Sequence, residues 1–250
     1  MKKLAIFDLD GTLAESKAPL DRDVGFWLGK LLEFSRVAVI SGGAWPQFQK
    51  QLLAHLPGGR HLSRLSLLPT SGTRFMTHED GDWRELYAEN FTPEQKYKII
   101  KALNGVFQAS GDVPPRHWGQ VIEDRGSQIT LSALGQEAPL EEKKKWDPDF
   151  TKRKGMKAKL EPLLPEFSIG LGGSSSIDVT RPGVDKAYGI GKLKEVLGVD
   201  IGEMVFVGDA LFEGGNDYPA RRTGVDCIEV AGPRETRKVI EAIVAWQGTS

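Results

Sequence analysis

The chain has 250 residues, 40% of them hydrophobic, a formal net charge of −1 and one cysteine. That length buries a sizeable core in one large or two small domains, and the balanced charge gives no global field for nucleic acid or an anionic membrane surface. Cys227, alone in the sequence and set in an apolar run, excludes an intramolecular disulfide, and His55, His61, His78 and His117 lack metal-ligand spacing, so no zinc site is expected. After Lys2 and Lys3 only four apolar residues precede Asp8, too few for a signal peptide, and no stretch is long enough to span a bilayer. A cytoplasmic protein without nucleic-acid or membrane partners is the expectation.

In chain order, the apolar run 4–7 predicts a buried strand that ends on Asp8. Residues 21–34 carry Val24, Trp27, Leu28, Leu31 and Leu32 at helical spacing. A second strand at 37–40, a helix over 46–56 and a third strand at 65–69 follow. The middle of the chain differs. A helix at 93–109 precedes two alternating segments, 119–124 and 127–132, that read as a hairpin. A Lys-rich, partly helical stretch over 141–164 leads to two more strands at 167–171 and 176–180. The run 141–145 reads either as a solvated face or as a phosphate-attracting rim. Beyond Asp185 the alternation returns, with helix 186–197, strand 204–207, short helix 219–223, strand 227–230 and helix 234–246. Alternating strands and helices predict an α/β fold with a parallel sheet covered on both faces, and consecutive strands predict an antiparallel α+β insert. The expected organisation is a Rossmann-like core from 1–82 and 185–250, with an inserted α+β cap at 83–184 that sets substrate specificity.

Asp8 and Asp10 stand two apart in an extended segment, which puts both carboxylates on one side, where they repel. A cation relieves that repulsion, and an all-oxygen site suits Mg²⁺. The plainer reading is an acidic turn, since Asp and Gly are common in turns. Three predicted strands run into informative residues: Phe7 into Asp8, Ile40 into Ser41, and Val207 into Gly208 and Asp209. Ligands of open parallel sheets bind at the carboxyl ends of strands, so these residues are expected to converge on one edge. Taken singly, Ser41 fits a turn beside Gly42 and Gly43, Lys186 a surface helix and Asp217 a cap before Pro219.

The segment Asp8-Leu9-Asp10-Gly11-Thr12 resembles the first motif of the haloacid dehalogenase-like phosphotransferases, and Ser41, Lys186 and residues 208–217 resemble the remaining motifs in order. The resemblance implies Asp8 as nucleophile, Asp10 as general acid/base, and Ser41 and Lys186 at the phosphoryl group, with Gly42 among the substrate-binding residues. It further implies Mg²⁺ held by Asp8, the backbone carbonyl of Asp10 and Asp209, with Asn216 and Asp217 in support of the metal or of Lys186.

An α+β cap between the serine and lysine motifs resembles the branch that contains sugar-phosphate phosphatases and eukaryotic-type phosphomannomutases. Residues 125–136 resemble the mutase cap motif Arg-Asn-Gly-x-x-Asn-x-Ser-Pro-x-Gly-Arg, and 172–186 resemble its Gly-Gly-x-x-Ser-Phe-Asp-Val segment with the lysine beyond. This implies that Arg125, Gln136, Ser176 and Asp178 bind substrate. Gln136 stands where a second arginine is expected, Lys143 roughly where a third is, and Gly43 replaces an arginine after Ser41. Glutamine has no charge and lysine no bidentate fork, so the grip on a bisphosphate weakens and release to water is favoured. The expected function is a Mg²⁺-dependent hydrolase of a phosphorylated sugar that works through an aspartyl-phosphate. A phosphomannomutase is the alternative, and a non-catalytic phosphosugar-binding module a third reading.

Overall fold

The computed structural model describes residues 2–247, so Met1 and residues 248–250 of the expected core range lie outside the described residues. The chain divides into two compact units, one built from residues up to Ala88 and from Asp185 onward, the other from Glu89–Val184.

The first unit starts with β1 (Leu4–Asp8), α1 (Arg22–Phe34), β2 (Arg36–Ile40), α2 (Trp45–Gln51) and β3 (Leu65–Leu68). Asp21 opens α1 by accepting from the Asp23 amide, a cap the sequence places just ahead of the apolar stripe. A hairpin of β4 (Arg74–Glu79) and β5 (Asp82–Ala88) then extends the sheet. Its turn uses Asp80 and Gly81, both at positive φ, 52° and 92°. An Asp-Gly pair between alternating residues is a hairpin signal that the division near residue 83 overlooked. β5 pairs along its length with β4, so the boundary falls after Ala88 and the sheet is mixed rather than wholly parallel.

The second unit holds α3 (Pro93–Gln108), β6 (Ile122–Asp124), β7 (Ile129–Ser132), α4 (Leu140–Trp146), α5 (Thr151–Leu160), β8 (Ser168–Gly172) and β9 (Ser176–Thr180). A capping box of Thr92 and Gln95, with Pro93 in the first turn, starts α3. The strands form an antiparallel sheet in the order β6-β7-β9-β8. Period-two alternation separates its faces. Ile129, Leu131, Ile177 and Val179 pack against Ile99, Leu103 and Phe107 of α3 and Met156 and Leu160 of α5. Thr130, Ser132, Ser176 and Asp178 occupy the opposite face, paired across β7 and β9.

The chain returns to the first unit with α6 (Lys186–Leu197), β10 (Met204–Gly208), α7 (Tyr218–Arg222), β11 (Asp226–Glu229) and α8 (Pro233–Gln247). The seven strands run β11-β10-β1-β2-β3-β4-β5, parallel from β11 to β3. Phe7, Val39, Leu67 and Val207 pack with Leu28 and Leu31 of α1 and Ile240 of α8, while Ile6, Ile40 and Phe206 pack with Ile190 and Leu193 of α6. Both faces are apolar, as a doubly covered parallel sheet requires.

The Lys-rich stretch of the second unit is only partly solvated. Lys144 and Lys145 are exposed beside Glu141 and Glu142, but Lys143 is buried. Arg153 is fully buried and paired with buried Asp147 at 2.7 Å, and its Nη1 donates to the carbonyls of Gly172 and Gly173. Removing one partner strands a buried charge. Arg153→Met is therefore expected to destabilise the protein by about 3–5 kcal/mol in urea unfolding, and Arg153→Met with Asp147→Leu by markedly less. A loss below about 1 kcal/mol in the single variant would contradict this role for the pair.

Candidate active site

β1 delivers Asp8 at its carboxyl end, in register with Ile40 of β2, while Phe7 pairs with Val207 of β10. The next residues on those neighbours are Ser41 and, after Gly208, Asp209. The parallel register thus gathers at one sheet edge the residues that the sequence placed at strand ends. Lys186 arrives from the other side as the first residue of α6, whose start is set by Asp185 accepting from the Tyr188 amide. Asp217 lies at the end of the loop after β10 and accepts from the Ala210 amide at 3.1 Å.

Lys186 donates to both Asp8 Oδ1 and Asp217 Oδ1, and all three side chains are buried. It also lies 5.7 Å from the centre of the Phe206 ring. Burial works against the lysine's charge, but Asp8 and Asp217 outweigh it and hold its pKa above the ordinary value. Burial likewise pushes the Asp8 carboxyl up, to about 7, with Lys186 opposing and Asp217 adding to the rise. Asp209 is raised in the same direction by burial and by Asp217, against a hydrogen bond from Thr12 Oγ1 at 3.2 Å. Gly11, at φ +89°, lets the backbone pass this carboxylate, since a Cβ there would stand 2.5 Å from Asp209 Oδ2.

The carboxylate oxygens of Asp8, Asp209 and Asp217 lie within 4.8 Å of one another. Asp8 Oδ2 is buried and has no hydrogen-bond partner. Three carboxylates face one ammonium, and that surplus of negative charge on oxygen donors fits a hard divalent cation. The Asp217 carboxylate, which the sequence assigned to support, stands within this cluster. Asp10 directs its carboxylate elsewhere, accepting from the Lys17 amide and from Gln47 and Gln51, so its side chain is not part of the cluster. Asn216 is exposed, and of the expected supporting pair Asp217 takes the lysine. Ser41 is buried and its Oγ accepts from the Gly43 amide at 3.1 Å, which leaves the hydroxyl proton to donate; Gly42 follows it, half-buried.

The expected cap residues come together on the polar face of the second unit's sheet. Arg125 grips Glu123 at 2.7 and 2.8 Å, and its Nη2 lies 3.5 Å from Gln136 Oε1. Lys143 Nζ donates to the Gln136 carbonyl at 3.0 Å. Asp178 accepts from Thr130 at 2.6 Å, and Thr130 in turn accepts from Gln128 at 3.0 Å. Ser176 pairs with Ser132 at 2.8 Å. Sequence reasoning missed Gln47, Gln51, Gln128 and Thr130. The two glutamines of α2 are four apart, the spacing of one helix face, but polar side chains at that spacing ordinarily mark solvent.

Among the described residues no helix is long and apolar enough to cross a membrane. The chain is similar in fold to a C-terminally truncated Plasmodium falciparum IMP-nucleotidase, with a TM-score of 0.69 and 16% identity over 98% of this chain and 72% of that one. It is also similar to a trehalose-6-phosphate phosphatase related protein, with a TM-score of 0.59 and 15% identity over 99% of both chains. In sequence it is 28% identical to the phosphomannomutase of Encephalitozoon cuniculi over 97% of this chain and 94% of that protein. It is likewise 28% identical to the phosphomannomutase of Saccharomyces cerevisiae over 86% and 83%. Residues 84–246 match the family model described as eukaryotic phosphomannomutase. With its paired aspartates at the end of β1 and its lysine at the start of α6, the chain belongs to the eukaryotic phosphomannomutase family, within the haloacid dehalogenase-like superfamily.

Proposed function

We propose that the protein takes the phosphoryl group of a sugar phosphate onto Asp8 and passes it to water. The observation that carries this reading is the buried Lys186 bridging Asp8 and Asp217 while Asp8 Oδ2 stays open. Asp8 Oδ2 attacks phosphorus, and the bond from phosphorus to the sugar oxygen breaks. Asp10 gives its proton to that oxygen, and in the second half takes one from the attacking water, whose oxygen displaces the Asp8 carboxylate from phosphorus. Lys186 favours the ionised nucleophile, opposing the burial that raises its pKa, and offsets charge on the phosphoryl oxygens. Ser41 Oγ donates to the same oxygens, with Gly42 beside it among the substrate-binding residues. Asp8, Asp209 and Asp217, with the backbone carbonyl of Asp10, would hold Mg²⁺, which supplies a second positive charge to the phosphoryl group when bound. The inserted unit, residues 89–184, would choose the sugar through Arg125, Gln136, Ser176 and Asp178.

Hydrolysis rather than return of the phosphoryl group to the sugar is supported by the polar face of the inserted unit. Arg125 is already paired with Glu123, Gln136 is neutral, Lys143 is turned to a backbone carbonyl, and Asp178 adds negative charge. That face offers little net positive charge to a second phosphate. The names of the relatives favour a second reading, interconversion of hexose 1- and 6-phosphates through a bisphosphate. A non-catalytic binding module is set aside, because the family is one of enzymes.

With mannose 1-phosphate and Mg²⁺, inorganic phosphate is expected to accumulate faster than mannose 6-phosphate. Gln136→Arg adds one charge-assisted contact, about 1.5 kcal/mol, and should shift the product ratio roughly tenfold toward the isomer. Wild-type isomerisation that outruns phosphate release would establish the mutase reading instead. A second expectation concerns pH. The Asp8 carboxyl has a higher pKa in the folded chain, about 7, than its ordinary 3.8. The folded state therefore holds a proton that the unfolded state has lost. The contribution to stability is full below about pH 4 and fades as pH rises through about 7. In metal-free buffer the wild type should lose thermal stability relative to Asp8→Asn across that window, and added Mg²⁺ should raise the wild-type melting temperature at pH 7 more than that of the variant. Parallel melting curves for the two, with no response to Mg²⁺, would contradict the site.

A further inference from the structure

Asp10 is held by a set of donors that the reaction itself does not use. Its Oδ1 accepts from the Lys17 amide at 2.7 Å and from Gln51 Nε2 at 3.1 Å, and its Oδ2 from Gln47 Nε2 at 2.7 Å. The glutamines are joined to each other, Gln47 Nε2 to Gln51 Oε1 at 2.9 Å, and stand one turn apart on α2. Gln51 is buried, a costly place for an amide unless its polar atoms are engaged, and its Nε2 also reaches the Glu15 carbonyl at 3.4 Å. Two further features are shaped to this contact. Lys17 adopts φ 57°, uncommon for a residue with a side chain, and from there its amide ends on Asp10. A Cβ on Gly43 would stand 2.5 Å from Gln47 Oε1, so the glycine makes room for Gln47 to fold back onto the carboxylate.

We infer that Gln47 and Gln51 are positioning residues that aim the Asp10 carboxylate at the leaving group; the inference rests on Asp10 serving as general acid/base. A carboxylate oxygen has two lone pairs, and both on Oδ1 are taken while Oδ2 keeps one. Oδ2 is the oxygen that carries the proton to the sugar oxygen as the phosphorus–oxygen bond breaks. Gln47 and Gln51 touch neither phosphorus nor its oxygens. They act through Asp10, by denying its side chain other rotamers.

The test compares kcat/KM for two probes, which reports the steps through departure of the leaving group. Mannose 1-phosphate leaves a sugar oxygen that needs a proton, and 2,4-dinitrophenyl phosphate leaves a phenolate that does not. Gln47→Met and Gln51→Met should lower kcat/KM for mannose 1-phosphate by roughly 10–100-fold and leave 2,4-dinitrophenyl phosphate within about threefold. Asp10→Asn should show the same selectivity, more strongly. Gly43→Ala, which crowds Gln47 without removing any donor, should reproduce the pattern and decides the matter even if Gln51→Met fails to fold. Equal losses on both probes in the glutamine variants, or no loss on either, would overturn the positioning role while selective loss in Asp10→Asn keeps the general acid. Equal losses in Asp10→Asn itself would overturn the reading of Asp10 and the inference with it.

Discussion

Two carboxylates and one ammonium share a space closed to solvent, and the first unit is arranged around that cost. Taking Asp8, Asp217 and Lys186 out of water is repaid only if their geometry is held tightly. Parallel pairing of β1 with β2 and β10 holds Asp8. The Asp185 cap holds the start of α6, and so Lys186. The Ala210 amide holds Asp217. Each uses a main-chain group, in strand pairing or as an amide donating to a carboxylate, so the charged groups meet from fixed positions. The same burial makes the site useful. In a dry environment a lysine beside a carboxylate has far more leverage on a phosphoryl group than it has in water.

The inserted unit solves a different problem. Its sheet buries one face against α3 and α5 and leaves the other lined with hydroxyls, amides and charges that bond to one another. Gln128, Thr130 and Asp178 form a chain in which each group has a partner, so this face is preorganised before any ligand arrives. The Arg125–Glu123 pair belongs to the same pattern, a cation fixed in place and partly neutralised. On the proposed reading, fixed and nearly neutral groups there serve the hydroxyls of a sugar rather than a second dianionic phosphate.

Apolar runs made the strand ends easy to read, because a strand buried on both faces is hydrophobic until the residue where it emerges. Asp8, Ser41 and Asp209 all fall at such points. Lys186 was legible only through its motif, since a lysine opening a helix looks like any surface lysine until Asp8 and Asp217 are seen around it. The β4–β5 hairpin carried a local signal in Asp80-Gly81 that the wider α/β alternation obscured. Gln47 and Gln51 carried none, because what engages them is a carboxylate 37 and 41 positions earlier. Arg153 and Asp147 were hidden in a lysine-rich segment whose composition reads as solvated, and what engages Arg153 beyond Asp147 is the Gly172 and Gly173 carbonyls about twenty positions later.

The central claim is that phosphorus becomes bonded to Asp8. Rapid acid quenching during turnover of mannose [³²P]1-phosphate, followed by peptide mapping, tests it most directly. The account predicts an acid-stable, hydroxylamine-labile label on the peptide that contains Asp8, absent in Asp8→Asn. Product formation with the label on another residue, or with no label trapped at any time, would contradict it.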